Sequence, residues 1–313
     1  MCYSAQIEAD YKKFTRATGA EDVSLKEFFE RYWRRQPRLP FKTPKAMDRW
    51  FTGGPLANPE IAQHIADFNA GEIAKLEQDV FKQKKRLADA ERTLQTRTTK
   101  KALEDQRIAT DKIAWALGKL ADLKRPELVP RDARIFPGWY APVVISEGGR
   151  RVVVPMRYQC RLPGWNEAIE RKYPGTYNAR RDKLEGPWSK LFGHQHGIMV
   201  VNRFYENVER LDTDGKPHNV VLEFQPQIEQ PMVVACLWSR CPTPDGDLLS
   251  FAAITDEPPA EVAAAGHDRC IIPIKPEHIE AWLNPNPNNL AACYAILDDR
   301  ERPYYEHRVA LAA

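Results

Sequence analysis

From Pro59 to Pro126 the chain carries no proline, and its composition turns to Ala, Leu, Lys, Glu, Gln and Arg. These are the strongest helix formers, so this stretch is committed to helix whatever the remainder does. Ile73, Leu76, Val80, Leu87 and Leu94 recur three, four or seven apart, and Ile113, Leu117 and Leu120 repeat the spacing after the polar break Thr96-Arg97-Thr98-Thr99-Lys100. The pattern predicts two long helices folded as an antiparallel hairpin over residues 58–125. Lys82, Lys84, Lys85 and Arg86 read as a solvated face of the first helix. Binding a protein partner is one role open to such an arm.

The hairpin interrupts a different kind of sequence. Tyr3 to Ile7 is long enough for one short strand that pins the N-terminus, and Ser24 followed by Leu25, Phe28, Phe29, Tyr32 and Trp33 predicts a short amphipathic helix within residues 21–35. After Ile135 the runs Val143 to Ile145, Arg151 to Val154, Gly197 to Val201, Asn219 to Phe224, Met232 to Trp238 and Leu248 to Ile254 are bounded by Gly, Pro and Asp, as strands are. A proline-led helix is expected over Pro276 to Trp282 and a surface-wrapping tail after Asn284. The expected fold class is therefore α+β: one domain over residues 1–313, its β-rich core a largely antiparallel sheet or barrel with few helices, and the helical hairpin inserted in it.

Several function classes drop out. The longest apolar runs fall short of the roughly 18 residues of a membrane span, and the N-terminus lacks a secretory pattern. The six cysteines form no CxxC pair, which reads as free thiols in a reducing compartment: cytoplasmic, and nucleoid-associated in a bacterium. His194 and His196 stand two apart without a Cys or carboxylate cluster and read as a loop beside a strand, not a zinc site. With no phosphate-binding glycine loop or nucleotide fingerprint, neither metal nor cofactor is expected. The 46 basic and 43 acidic residues nearly balance, which permits a local basic groove without making the whole protein basic.

What remains is chemistry at the N-terminus. Met1 is followed by Cys2, a residue small enough for Met1 to be removed, which leaves an α-amine and a thiol on one carbon. Their ordinary pKa values, about 7.7 to 8.0 and about 8.5, leave a reactive fraction of each at neutral pH. Together they can condense with an aldehyde and close a ring. That reaction needs a group to take a proton from the amine and one to deliver a proton to the departing oxygen, and Glu206 and His267 are the chemically suitable pair.

Four segments give this terminus a context: Thr176-Tyr177-Asn178-Ala179-Arg180, Asn202-Arg203-Phe204-Tyr205-Glu206, Phe251-Ala252-Ala253-Ile254-Thr255, and Gly266-His267-Asp268-Arg269-Cys270-Ile271-Ile272-Pro273. In this order behind Met1-Cys2, with Ala141-Pro142 and Leu162-Pro163-Gly164-Trp165 between, they resemble the SOS response-associated peptidase (SRAP) family. The resemblance covers Cys2 to about Gln6 and about Ile135 to Leu283. It implies a β-rich fold and a covalent DNA–protein crosslink in which Cys2 forms a thiazolidine with an abasic site in single-stranded DNA. It also implies peptidase-like self-processing. By the same resemblance Cys2 is the nucleophile, Asn178 positions the terminus, Glu206 is a general acid/base, His267 is the proton donor near the sugar oxygen, and Arg180 contacts backbone phosphate. Arg157, Arg161, Arg181 and Trp165 join Arg180 as DNA-binding candidates, because cationic tracks with aromatic platforms suit single strands. The chain departs from the family at Tyr3 and Ser4, which replace a glycine and a phosphate-contacting arginine, at Asn207, which replaces a tryptophan, and at Cys270, which replaces a methionine. A Cys-His peptidase or amidase, or a non-catalytic DNA- or protein-binding scaffold, is the alternative.

Overall fold

A computed structural model describes residues 3–20, 22–23, 42–53, 56–244 and 246–310. Cys2 and most of the helix expected within residues 21–35 lie outside the described residues. In chain order the elements are β1 (Ser4–Ile7), α1 (Tyr11–Thr18), β2 (Asp22–Val23), α2 (Lys45–Thr52), α3 (Pro59–Thr96), α4 (Lys100–Lys124), β3 (Arg134–Ile135), β4 (Tyr140–Glu147) and β5 (Arg150–Tyr158). There follow α5 (Glu167–Lys172), β6 (Asn178–Arg180), β7 (His196–Leu211), β8 (Pro217–Pro226), β9 (Met232–Cys241) and β10 (Leu248–Asp256). The chain closes with α6 (Ala260–Ala264), β11 (Cys270–Ile271), α7 (Ile279–Leu283), α8 (Leu290–Asp298) and β12 (Tyr305–Val309). The architecture is mixed α+β, and no helix among the described residues is long and apolar enough to cross a membrane.

The long helices form where the sequence places them. Asn58 Oδ1 accepts the Glu60 and Ile61 backbone N–H groups at 3.0 and 3.1 Å, with Pro59 in the first turn where its missing N–H does no harm. Thr99 caps α4 through the Ala102 N–H at 3.1 Å. The antiparallel pairing is fixed by Arg86 to Asp105 at 2.5 Å and Lys124 to Glu77 at 2.8 Å. The seam differs from the aliphatic stripe read in the sequence. Val80 and Ala90 face Ala102, Ala109, Ala116 and Leu120, so small residues seven apart carry much of α4's buried edge while Leu117 stays 48% exposed. Alanine lets two helix backbones approach closely, and leucines beside such a seam are turned outward. The base of the arm is tied down: Lys45 Nζ meets the carbonyls of Asp122 (2.6 Å) and Arg125, a cation on the C-terminal end of α4. Ile61 and Ile65 enter the main core.

Twelve strands among the described residues join one sheet. Pairing runs in a circuit through β7, β4, β5, β10, β9 and back to β7, but Val144↔Ile198 alone links β4 to β7 and two residue pairs link β5 to β10, so this is not a clean barrel. Three pairings are parallel, β2 and β10 with β5 and β6 with β10, against the largely antiparallel expectation. Each brings together segments far apart in sequence, which strand patterns do not register. The tail after Asn284 also holds more than an irregular wrap, since α8 packs Leu297 into the core and β12 extends β8. β1 lies between β7 and β3, so the N-terminal strand is flanked on both edges and the arm connects across the β1–β3 pair.

Candidate active site

Along β7 side chains alternate between faces, and Phe204, Glu206 and Val208 share the inward one, buried at 0%, 0% and 2% exposure. Glu206 is thus a carboxylate on a face otherwise apolar. Such a group persists only with a partner that shares or neutralises its charge. His267 supplies one. After α6 the chain turns at Gly266 with φ +95°, and a Cβ there would lie 2.8 Å from Val208 Cγ1. Glycine therefore serves twice, for the left-handed backbone and for the close approach that lays the next residue against β7. His267 Nε2 comes to 3.2 Å from Glu206 Oε2.

The proton inventory of this pair follows from geometry. His267 Nδ1 lies 2.9 Å from the Arg269 carbonyl and 3.3 Å from the Arg269 backbone nitrogen, and the shorter contact, to a group that can only accept, favours the hydrogen on Nδ1. Nε2 then faces Glu206 with a lone pair unless a proton lies between them. A proton between them can be placed in two ways, as carboxylic acid with neutral imidazole or as carboxylate with imidazolium. Burial lowers the His267 pKa and favours the first arrangement. Titration belongs to the pair, and the pair can both accept and return a proton.

The third and fourth segments converge on the same place. Asn178, 6% exposed, sits in β6 beside Ala253 of β10, and β11, which follows His267, pairs with the end of the same strand. Tyr3 stands between the neighbours of the two polar residues: its N–H donates to the Tyr205 carbonyl at 3.3 Å, and its ring meets that of Tyr177 edge-on at 6.4 Å. The structure therefore joins Glu206 to His267 directly and sets the flanks of Asn178 and Glu206 around the residue next to Cys2.

The arginines read as DNA contacts are occupied by carboxylates. Arg157 and Arg161 both pair with Glu170 of α5, the latter through Nε and Nη2 at 2.9 and 2.8 Å, and Arg161 is only 9% exposed. These two brace α5 against the sheet. Arg180 forks onto Asp182 at 2.9 and 2.8 Å, with both groups exposed, and Arg181 meets Asp298 at 2.6 Å. Trp165 is half-buried against Tyr173, ring centroids 5.5 Å apart. Sequence reasoning missed Arg134. Its Nε and Nη2 donate to Ser4 Oγ at 3.0 and 2.9 Å, a contact between positions 130 apart that no local pattern announces.

The remaining thiols are poor nucleophiles. Cys160, Cys236, Cys241, Cys270 and Cys293 are buried and unbridged, and burial pushes their pKa values up, that of Cys160 to about 12. His196 is equally unsuited to chemistry: it is 2% exposed, packed tilted against the Trp282 ring at 4.0 Å, with its pKa pushed down to about 3, chiefly by burial.

Comparison with known proteins bears on these four segments. A protein from Bordetella bronchiseptica is similar at 18% identity over 59% of this chain and 90% of its own, with a TM-score of 0.45. One from Bacteroides thetaiotaomicron stands at 14% identity, 58% and 79% coverage and a TM-score of 0.46. A phage-related protein of Bordetella bronchiseptica gives 19%, 59% and 84%, and 0.44. No curated protein matches the sequence. The family description "SOS response associated peptidase (SRAP)" matches residues 92–310, from the end of α3 through β12, a span that takes in α4 and the C-terminal elements as well as the core motifs. With most of its length so matched, this chain belongs to the SRAP family.

Proposed function

We propose that this protein captures abasic sites in single-stranded DNA as a covalent crosslink through Cys2. The observation that carries the proposal is the buried Glu206–His267 pair, 3.2 Å apart, at the point where the chain reaches Tyr3. Cys2 is one residue, about 3.8 Å of Cα–Cα distance, from Tyr3. The five other cysteines are buried with raised pKa values, which supports the terminal thiol as nucleophile.

The amine is free once Met1 is gone. Its lone pair adds to the aldehyde carbon of the ring-opened abasic sugar, forming a C–N bond. The pair takes the two amine protons in turn and returns both to the oxygen, which leaves as water and gives an imine. The Cys2 sulfur then adds to the imine carbon and its proton passes to nitrogen, closing a thiazolidine. One water is lost and nothing is oxidised or reduced. Asn178, a neutral amide, can hold the amine without changing its charge.

Intact-mass measurement tests this. Protein lacking Met1, mixed with an abasic oligonucleotide, gives the sum of the two masses less one water, and Cys2→Ala gives none. Met1-free protein that forms no adduct overturns the proposal. The family's description as a peptidase motivates a second reading, in which the same groups cleave peptides. Peptide turnover without a stable DNA adduct would favour it.

A further inference from the structure

One guanidinium beside this site lacks the counter-charge that its burial calls for. Arg134, on β3, is 6% exposed, lies over the Tyr205 ring at 3.8 Å and the Phe136 ring at 4.9 Å, and bonds only the Ser4 hydroxyl. Two ring faces and a hydroxyl offset part of the lost hydration, but none carries a negative charge. Arg161, nearly as buried, has Glu170. Among the described residues no carboxylate lies within ion-pairing distance of Arg134. Strand register puts Arg134, Arg203, Arg308 and Glu223 on one face, and Glu223 is already bonded by Arg203 and Arg308 at 2.9 and 2.8 Å. Ser4 takes Nε and Nη2, so both N–H groups of Nη1 have no partner among the described residues.

We propose that Arg134, braced by Ser4 and backed by the Tyr205 ring, is a binding site for a phosphodiester oxyanion of the single strand that enters the active site. A guanidinium fork matches two phosphate oxygens, and an anion there supplies the missing charge. Two features favour a nucleic-acid phosphate over a free carboxylate. Tyr3, 41% exposed, leans on Phe136 at 5.9 Å, so an open aromatic ring stands beside the cation, the combination that holds single strands. Ser4 is also two residues from Cys2, within reach of the strand that Cys2 would engage. The site rests on the proposed DNA substrate but not on the capture chemistry.

Its test therefore uses Cys2→Ala protein and undamaged, fluorescently labelled single-stranded oligonucleotide, read by anisotropy over a salt series. Arg134→Gln should weaken binding about tenfold, the worth of one charged hydrogen-bond pair, and flatten the slope of log K against log salt by about 0.7, one phosphate on a single strand. A second measurement leaves Arg134 in place: single neutral methylphosphonate linkages are moved along the oligonucleotide. One position should lose affinity with Arg134 present and lose little more in Arg134→Gln. Unchanged affinity and slope in a folded Arg134→Gln, or no sensitive linkage for the arginine protein, would overturn the phosphate site and leave Arg134 as a brace for β1. Failure of the abasic capture reading alone would leave both readouts intact.

Discussion

His196 makes acid a specific threat to the strand that carries Glu206. Its Nε2 accepts the Gly193 N–H at 2.8 Å and its Nδ1–H donates to the Trp282 carbonyl at 3.0 Å, so the ring is neutral and both nitrogens are used. Protonation would set an N–H against the Gly193 N–H inside the core. Burial accordingly takes the pKa from 6.5 to about 3. The unfolded chain binds this proton below about pH 6.5 and the folded chain only near pH 3, so the stability is fully present above the first value and lost as pH falls to the second. Each unit of the gap is worth about 1.4 kcal/mol, which gives a loss of about 2.7 kcal/mol by about pH 4.5. His196→Gln keeps an acceptor and a donor at the site and removes the titration. Urea unfolding of both proteins at about pH 7 and about pH 4.5 reads the difference, and the wild type should lose about 2.7 kcal/mol more than the variant. Equal losses would refute the argument, and would mean that the imidazole either reaches water or finds an acceptor on protonation.

Three further outcomes follow from the site and its supports. Glu206→Gln preserves shape and a hydrogen bond to His267 but cannot pass a proton, so abasic capture followed by mass spectrometry should slow by about 100-fold or more while the urea midpoint holds or rises. Gly266→Ala meets Val208 Cγ1 at 2.8 Å on a left-handed backbone, and should lose roughly 1–3 kcal/mol on unfolding and slow capture by moving His267 off Glu206; adding Val208→Ala should recover only the steric part. Glu170→Gln strips the charge that pairs Arg157 and Arg161 and should destabilise by about 3–5 kcal/mol in thermal or urea unfolding, whereas Glu170→Asp should lose less.

The elements legible in the sequence were those with a local signal. The hairpin announced itself through a long proline-free stretch, an apolar repeat and a polar break, and the strands through β-branched runs between turn residues. The alanine seam of α4 was not legible, because Ala102, Ala109 and Ala116 carry little hydrophobic signal and earn their place only by letting α3 approach. At the site, Glu206 and His267 were readable as chemically complementary types within a family-like order of motifs, and the structure puts their nitrogen and oxygen 3.2 Å apart. The arginines were not, because a sequence shows the cation without its carboxylate. Arg161 and Arg180 look alike in a string of letters; one is sealed against Glu170 and the other lies at the surface on Asp182. Arg134 was invisible for the opposite reason: what sets it apart is that no carboxylate among the described residues pairs with it.

β1 runs between β7 and β3 with its register held on both sides, Ser4 to Tyr205 and Gln6 to both Arg203 and Arg134. Slipping by one residue would exchange its faces, carrying Ala5 out of the core and Ser4 away from Arg134, so the strand cannot slide to accommodate a change ahead of it. In the proposed capture it acts as a ruler whose zero mark is fixed at the sheet and which sets how far Cys2 stands from it. An alanine inserted between Cys2 and Tyr3 would keep every side chain named in the site and lengthen the ruler by one strand step, about 3.3 Å. That is more than a near-attack geometry tolerates. In the proposed capture, the spacing of Cys2 from the sheet is as much a part of the reactive group as the thiol itself.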